Sequence, residues 1–253
     1  MPLRAVGEKL MRNIWTMTKR EFNMYFASPV AYFIIFGYLF VLGLIFAITL
    51  YFGMQGGRAD INQVLAWFVY LSMFSGAGVT MRLLAEEQRT GTMELLLTAP
   101  LREWELVVGK WLAAVGFMCV TLSFTLVYAI ILNQYTDPGI DLGALMAAYL
   151  GLVLFTGATL AIGVFVSSLF SNQIAAFFLT TGIFLGINWL VGVPFQNSTG
   201  AVATVMQYLG AFDHYFNNFQ AGAVVVSDVV YFVSVMVLFL FLATRVVESR
   251  RWR

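Results

Sequence analysis

Few side chains in this chain of 253 residues could do covalent or metal chemistry. The single histidine is His214 and the single cysteine is Cys119, so neither has a second His or Cys with which to form a metal site. A nucleotide-binding Gly-x-x-x-x-Gly-Lys-Ser/Thr loop is missing, because Gly109-Lys110 lacks the earlier glycine and the following hydroxyl residue. We expect no catalytic residue, metal or cofactor on this chain, and interpret His214 as a surface residue and Cys119 as apolar packing.

The charged side chains that could bind a partner are concentrated between Arg82 and Lys110. The segment between them contains Glu86, Glu87, Arg89, Glu94, Arg102, Glu103 and Glu105. Long apolar stretches flank it on both sides, and a charged side chain at the centre of a bilayer costs about 2.5–3.5 kcal/mol. The segment must therefore lie in water, where we expect a soluble partner to move the membrane part through it.

The elements that position this segment are predicted to be membrane spans. Of the residues, 60% are hydrophobic and 11% are charged, whereas soluble domains carry about 25% charged residues. The sequence predicts an all-α integral membrane protein: an N-terminal amphipathic helix at 1–28 and one six-span domain at 29–253. The predicted spans are about 30–52, 61–81, 106–132, 142–166, 174–193 and 224–244, with Ser28-Pro29 and Asp141 at helix starts.

The distribution of Lys and Arg predicts the orientation. An even number of spans puts both termini on one side, and nearly all basic residues then fall on that side with the charged segment. Only Arg58 falls on the other side. We therefore expect cytoplasmic termini, an inner-membrane location and outer loops at 53–62, 133–141 and 195–222.

Residues 8–27 have helical periodicity, with apolar and basic faces. A basic amphipathic helix next to a span is typical of the membrane interface, where Trp15, Lys19, Arg20 and Phe22 would be anchors. The alternative is that this helix packs on a soluble partner.

Within the charged segment, we expect the second span to continue as helix beyond the membrane. Its spacing would let Glu86 pair with Arg82 and with Arg89. Gly91 would end that helix, and Thr92 would cap a short transverse helix at about 92–98. The apolar side chains of Met93 to Leu97 would pack either on the chain's own spans or in a groove of a partner, and the residues alone leave both open.

Polar residues at membrane depth form a second group. Thr156, Thr159, Thr181 and Asn188 would either line a pathway or bond neighbouring helices, and the second interpretation is favoured. Gly182 and Gly186 would pack within the subunit or at a dimer seam. Asp228 is expected at the membrane interface. Since the spans hold essentially no ionisable pairs, an ion-coupled carrier is disfavoured.

The residues of the charged segment resemble the cytoplasmic signature of ABC-2 type permeases, the membrane subunits of one class of ABC exporters. The residues that carry this resemblance are Glu86, Arg89, Gly91, Thr92, Glu94, Leu97, Thr98, Pro100 and Lys110. The helix at 8–27 and the SSLFSNQ link also fit the family. Residues 213–231 with the tail ESRRW resemble its gliding-motility-associated branch.

The resemblance implies a coupling helix within 82–105 that docks on a separate ABC ATPase, which binds ATP and Mg²⁺. The implied coupling residues are Glu86, Arg89, Gly91, Thr92, Met93, Glu94, Leu95, Leu96, Leu97, Thr98 and Pro100. It also implies short outer helices between spans five and six, in an outer re-entrant-like segment at 195–222. Val202, Val205, Met206 and Leu209 share one face of such a helix.

The sequence thus predicts the permease subunit of an ATP-driven exporter. Its expected partners are the ATPase, a second permease copy or paralogue, membrane lipid and, as a further option, an accessory subunit with an outer domain. No nucleic acid is expected. The alternative is a non-transporting membrane anchor or assembly subunit of a motility or surface complex.

Overall fold

The computed structural model describes residues 2–54, 60–92, 102–136, 139–192 and 200–250, and this part of the chain is helical without a strand. Of residues 2–10, Met54, 190–192 and Ala203, only the backbone is described. The helices are α1 (Pro2–Ala27), α2 (Pro29–Met54), α3 (Asn62–Thr80), α4 (Ala85–Thr90), α5 (Glu103–Phe124), α6 (Leu126–Tyr135), α7 (Leu142–Leu169), α8 (Gln173–Leu185), α9 (Ala201–Leu209), α10 (Ala211–His214) and α11 (Val226–Arg250). Two π-helical turns, Gly186–Gly192 and Tyr215–Phe219, follow α8 and α10.

Five helical stretches in the described residues are long and apolar enough to cross a membrane. They are Pro29–Gly53, Asn62–Thr90, Glu103–Tyr135, Leu142–Leu169 and Val226–Arg250. The predicted fifth span coincides with a shorter apolar helix, Gln173–Trp189. The chain is a multi-pass membrane protein.

Helix α7 is the most buried of these stretches, and its glycines bring neighbouring helices close. A Cβ on Gly163 would lie within 2.9 Å of Thr80 Cβ on α3. The carbonyl of Gly157 accepts a hydrogen bond from Trp111 Nε1 on α5 at 2.9 Å. Small residues at such crossings let helix backbones approach each other in a membrane. The core therefore forms around α7, with α3, α5 and α11 against it.

Local residue chemistry sets several helix ends. Asp141 caps α7 as predicted, because its Oδ1 accepts hydrogen bonds from the N–H groups of Gly143 at 2.8 Å and Ala144 at 3.2 Å. Gly91 ends α4 in the left-handed conformation with φ of 72°, as predicted. The second span continues as a helical stretch to Thr90 as expected, although a turn separates α3, which ends at Thr80, from α4.

His214, between α8 and α11, and Asp228, on α11, form a buried pair, which corrects one expectation. His214 is 7% exposed and Asp228 is 3% exposed, so His214 is not a surface residue. Asp228 lies in the first turn of α11, and its position at the membrane interface stays a prediction. His214 Nδ1 lies 2.8 Å from Asp228 Oδ1, and its ring stacks on Tyr231 at 4.0 Å between centroids. Asn218 Nδ2 donates to Asp228 Oδ2 at 2.7 Å. Both side chains can be buried because each supplies a hydrogen bond that the other needs.

Helix α9 covers the residues in which we predicted an outer helix. Val202, Val205 and Leu209 on its apolar face are exposed in this single chain. Whether this face dips towards the membrane stays a prediction.

Candidate functional site

Three charged side chains from three helices meet in a buried cluster beside the charged segment. Lys110 on α5 is 1% exposed, and its Nζ lies 3.1 Å from Oε1 of Glu21 on α1. The same Nζ lies 2.8 Å from Oε1 of Glu87 on α4. We call Glu21, Glu87 and Lys110 the buried ion cluster. Removing one member of a buried ion pair costs about 3–5 kcal/mol, so the cluster holds α4 against α1 and α5.

The buried ion cluster contains two carboxylates but only one ammonium. Oε2 of Glu87 is buried and has no hydrogen-bond donor within the described residues. Glu87 belongs to the charged helix α4, past the end of the apolar helix α3. Burial raises the pKa of its carboxyl above the ordinary value, and the charge of Lys110 opposes part of that rise. A further cation near Glu87 would therefore stabilise its ionised form.

Helix α1 packs closely along α5. A Cβ on Gly109 would lie only 2.9 Å from Met17 Cβ, so a larger residue at this position would push the helices apart. Thr18 Oγ1 donates a hydrogen bond to the carbonyl of Gly109 at 3.2 Å. A Cβ on Gly116 would meet the Phe22 ring at 3.3 Å. Helix α1 is therefore part of the helical bundle through its contacts with α5.

Helix α1 also contributes to the start of α5. Asn13 Nδ2 donates to Glu105 Oε2 at 3.1 Å. The same carboxylate oxygen accepts from the backbone N–H of Arg102 at 3.2 Å, which makes the glutamate half of a capping box. The first turn of α5 is thereby fixed to α1 just before the chain reaches Lys110.

The turn between α3 and α4 is held by a serine of α7. The Oγ of fully buried Ser167 accepts hydrogen bonds from the N–H groups of Leu84 at 3.2 Å and Ala85 at 3.1 Å. These bonds satisfy backbone donors that the break between the helices leaves without a helical partner. Gln88 Nε2 on α4 donates to the carbonyl of Ser168 at 2.9 Å. Helix α4 is thus attached to α7 as well as to α5.

A cleft of about 640 Å³ opens beside the buried ion cluster. Its charged lining comes from α1, the turn after α3, α4 and α5, and comprises Arg20, Arg82, Glu86 and the three cluster residues. Its apolar lining comes from α1 and the membrane helices α2 and α3, and includes Met24, Val30, Ile34 and Val79. We call this space the amphipathic cleft.

A family model described as ABC-2 family transporter protein matches residues 15–248, which include every predicted span and the charged segment. The chain belongs to the ABC-2 family of transporter proteins. It is also similar to the protein named "Probable multidrug ABC transporter permease YbhR" from Escherichia coli strain K12 and from Escherichia coli O157:H7, at 32% identity over 122 residues in each case. The aligned region is 46% of this chain and 32% of each relative, so it spans about a third of the curated relatives' length.

The structure describes four of the coupling residues predicted for this ABC-2 permease. Glu86 on α4 and Thr92 after it line the amphipathic cleft, and Arg89, Gly91 and Thr92 are exposed at the far end of α4. The remaining predicted coupling residues lie outside the described residues: Met93, Glu94, Leu95, Leu96, Leu97, Thr98 and Pro100. Docking of this ABC-2 chain on an ATPase through these residues stays a prediction.

The two ion pairs predicted for Glu86 within the charged segment are not found among the described residues. Among the ion pairs of the described residues, Glu86 pairs with neither Arg82 nor Arg89. Arg82 lies in the turn before α4, and its side chain and that of Glu86 line the same cleft without forming an ion pair among those of the described residues. Glu86 faces the cleft while Arg89 is exposed, and the carboxylate that forms an ion pair is Glu87.

The predicted interfacial residues of α1 lie in two environments. Trp15 is 68% exposed, and Lys19 and Arg20 are exposed as well. Phe22 instead packs against Gly116 of α5. Their anchoring role in the membrane stays a prediction, which the exposure of the first three residues permits.

Two of the predicted pathway or packing residues line a second, mainly apolar cavity of about 310 Å³. Thr159 Oγ1 also donates to the carbonyl of Phe155 at 2.8 Å. Asn188 accepts a hydrogen bond from the N–H of Phe212 at 3.1 Å through Oδ1. These two side chains therefore combine backbone bonding with contact to a cavity, so the two interpretations are compatible for them.

The other two predicted pathway residues, Thr156 and Thr181, are buried, and their hydroxyls have no hydrogen-bond partner within the described residues. The glycines of the G-x-x-x-G pattern, Gly182 and Gly186, have open space where a Cβ would be. Close packing at this pattern inside the subunit is thereby excluded for the described residues.

The sequence does not predict the buried ion cluster as a unit, although it carries one signal of it. Glu21 follows Met17 by four residues and precedes Tyr25 by four, so these three residues share one face of α1. An acidic residue between two large apolar residues on a packed face indicates a buried cationic partner. Nothing in the local sequence identifies that partner as Lys110.

Proposed function

We propose that this chain is the transmembrane permease subunit of an ATP-driven ABC-2 exporter in the inner membrane. Six spans would cross the membrane, with the apolar helix Gln173–Trp189 as the fifth, and both termini and the charged segment would be cytoplasmic. Family membership and the asymmetry of Lys and Arg support this arrangement.

The observation that carries the proposal is the attachment of α4 to the spans. Lys110 joins Glu87 of α4 to Glu21 of α1, and Ser167 of α7 holds the turn before α4. A partner that displaces the end of α4 would therefore move α5 and α7 with it. A tightly packed bundle transmits such a displacement because it switches between discrete packings rather than deforming continuously.

The proposed partner is a separate ABC ATPase that binds ATP and Mg²⁺, and a second permease copy or paralogue would complete the complex. The apolar segment from Met93 to Leu97 would enter a groove of the ATPase as a short helix. An accessory subunit with an outer domain would be a further partner.

Co-purification of the chain with its ATPase tests the docking. Leu96→Asp should reduce the recovered ATPase about tenfold or more, because a charge buried in an apolar groove costs several kcal/mol. Glu94→Arg should reduce it by a similar factor, because it reverses a charge at the contact. Glu248→Arg is the matched control, since Glu248 is exposed near the end of α11. Association that survives both changes in the segment at the level of this control would reject the docking assignment.

The compound exported would contact Thr159 and Asn188 in the apolar cavity between α7, α8 and α11. The mainly apolar lining of this cavity supports an apolar organic substrate, and the relatives named as multidrug permeases, which align with only part of this chain, support the export of drugs. Substrate-stimulated ATP hydrolysis in a reconstituted complex should fall in Asn188→Leu while ATPase association is retained.

The second candidate is a non-transporting anchor or assembly subunit, which the resemblance of residues 213–231 to the gliding-motility branch favours. The same attachment of α4 would then tether a partner without export. An inert anchor predicts no effect of any substrate on ATP hydrolysis and no movement of compound into vesicles, which separates it from the exporter.

A further inference from the structure

The amphipathic cleft has the composition of a headgroup site joined to an acyl-chain site. Charged side chains of α1, the turn after α3, α4 and α5 contribute one part of its lining, and apolar side chains of the membrane helices α2 and α3 contribute another. Its volume of about 640 Å³ exceeds the minimum for a small organic ligand.

The two basic side chains at the cleft outside the ion cluster are unpaired with acids. Arg20 on α1 and Arg82 after α3 are exposed, and neither belongs to an ion pair among the described residues. Guanidinium groups bind phosphate oxygens through paired charge-assisted hydrogen bonds. Two unpaired arginines on one cleft therefore fit a phosphate group.

The acidic side chains fit a cation. Glu21 and Glu87 share the single ammonium of Lys110, and Glu86 lines the same cleft without an ion pair among the described residues. Oε2 of Glu87 also lacks a donor. An ammonium group supplies three donors and would satisfy these carboxylates.

The lining therefore carries equal numbers of basic and acidic side chains, three of each, with unpaired members of both signs. A purely anionic ligand would satisfy the arginines and be repelled by Glu86 and Glu87. A ligand with separated phosphate and ammonium groups satisfies both sets, which favours a zwitterion.

The apolar lining indicates that this zwitterion belongs to a lipid. Val30 and Ile34 come from the first turns of α2, and Val79 comes from the last turns of α3. Gly78 beside Val79 has no side chain. The nearest atom to the position that a Cβ would take belongs to the Phe177 ring, at 4.0 Å. These residues leave room along the membrane helices for the first carbons of an acyl chain.

We propose that the amphipathic cleft binds a zwitterionic aminophospholipid. Arg20 and Arg82 hold the phosphate, Glu86 and Glu87 hold the ammonium, and the acyl chain follows Ile34 and Val79. This inference goes beyond the proposed function and does not depend on it, because the lipid binds the permease chain without the ATPase.

The test is a titration of the full purified chain in detergent, with native mass spectrometry as the readout. The probes are phosphatidylethanolamine, phosphatidylglycerol and diacylglycerol with the same acyl chains, and water-soluble glycerophosphoethanolamine. We expect one tightly bound phosphatidylethanolamine and affinities about tenfold lower for each other probe, since each one lacks a charged group or the chains. Equal affinity for phosphatidylglycerol would overturn the ammonium site, and equal affinity for glycerophosphoethanolamine would overturn the lipid.

Variants locate the site. Arg20→Gln with Arg82→Gln should lower the phosphatidylethanolamine affinity about tenfold, and Glu86→Gln should abolish the preference over phosphatidylglycerol. Arg12→Gln is the matched control, because Arg12 is an exposed arginine of α1 outside the cleft. A loss in Arg12→Gln as large as in the double variant would overturn the assignment.

A cross-linking experiment on the unaltered chain does not depend on the folding of any variant. A phosphatidylethanolamine with a photoreactive group near its phosphate should cross-link within residues 20–34 or 78–92 or at Lys110, which together contain the lining of the cleft. Cross-links confined to other parts of the chain would overturn the proposal.

Discussion

Replacing Lys110 by methionine removes the ammonium of the buried ion cluster and keeps most of the stem. Glu21 and Glu87 would then remain in a site where the side chain of Lys110 is 2% exposed, with no cation between them. Leaving a buried charge without its partner costs about 3–5 kcal/mol, and for a chain of this size such a loss lowers the melting temperature by about 6–20 °C. Thermal unfolding of the purified chain in detergent at pH 7.5 measures this fall in melting temperature.

The pH dependence of this variant gives a second readout. Burial already raises the pKa of the Glu87 carboxyl, and removal of Lys110 takes away the charge that opposes the rise. A carboxyl whose pKa is higher in the folded state binds protons preferentially there, so stability increases as the pH falls through that raised pKa. Lys110→Met should therefore recover part of its loss between pH 7.5 and pH 5, and by more than the native chain gains.

Two controls separate the ion cluster from a general effect of losing a cation. Combining Lys110→Met with Glu21→Gln and Glu87→Gln should restore most of the stability, because no buried charge then lacks a partner. Arg245→Met removes a 61% exposed cation that pairs with Glu248 at 2.8 Å, and exposed pairs contribute about 0–1 kcal/mol. If Lys110→Met lowered the melting temperature no more than Arg245→Met, the reasoning about the cluster would be refuted.

Two other substitutions test the packing around the site by the same unfolding measurement. Ser167→Ala should cost about 1–3 kcal/mol, because two buried N–H groups lose their acceptor, whereas Ser249→Ala on the exposed end of α11 should cost less than half as much. Gly109→Leu should cost about 1–3 kcal/mol or more through its clash with Met17, and Gly182→Leu, where space is open, should change little. Equal effects within either pair would contradict the geometry.

The apolar stretches and several helix ends could be predicted from the sequence because short-range patterns determine them. Unbroken apolar runs indicate spans, and Asp141 and Gly91 act on the backbone within a few residues of themselves. The fifth span was predicted from a run whose helix, Gln173–Trp189, is shorter than the five long stretches.

The site could be predicted only in part, because its decisive contacts join distant parts of the chain. The sequence identifies the charged segment as unusual. It does not show that Lys110 pairs with Glu87 and Glu21 rather than with acids nearer in the sequence, because that pairing depends on the packing of α1 on α5. The break before α4 depends on Ser167, which the local pattern cannot reveal. His214 was assigned to a surface because its partner Asp228 lies 14 residues further on.

The two attachments of α4 have different consequences for movement. If the buried ion cluster were the only link, α4 could pivot about the turn that precedes it and leave α7 in place. With Ser167 bonded to that turn and Gln88 bonded to the end of α7, a pivot breaks hydrogen bonds in a buried site. A displacement of α4 that keeps both attachments must therefore carry α5 and α7 together. Since α7 is the most buried candidate span, such a displacement would act on the centre of the bundle rather than on its edge.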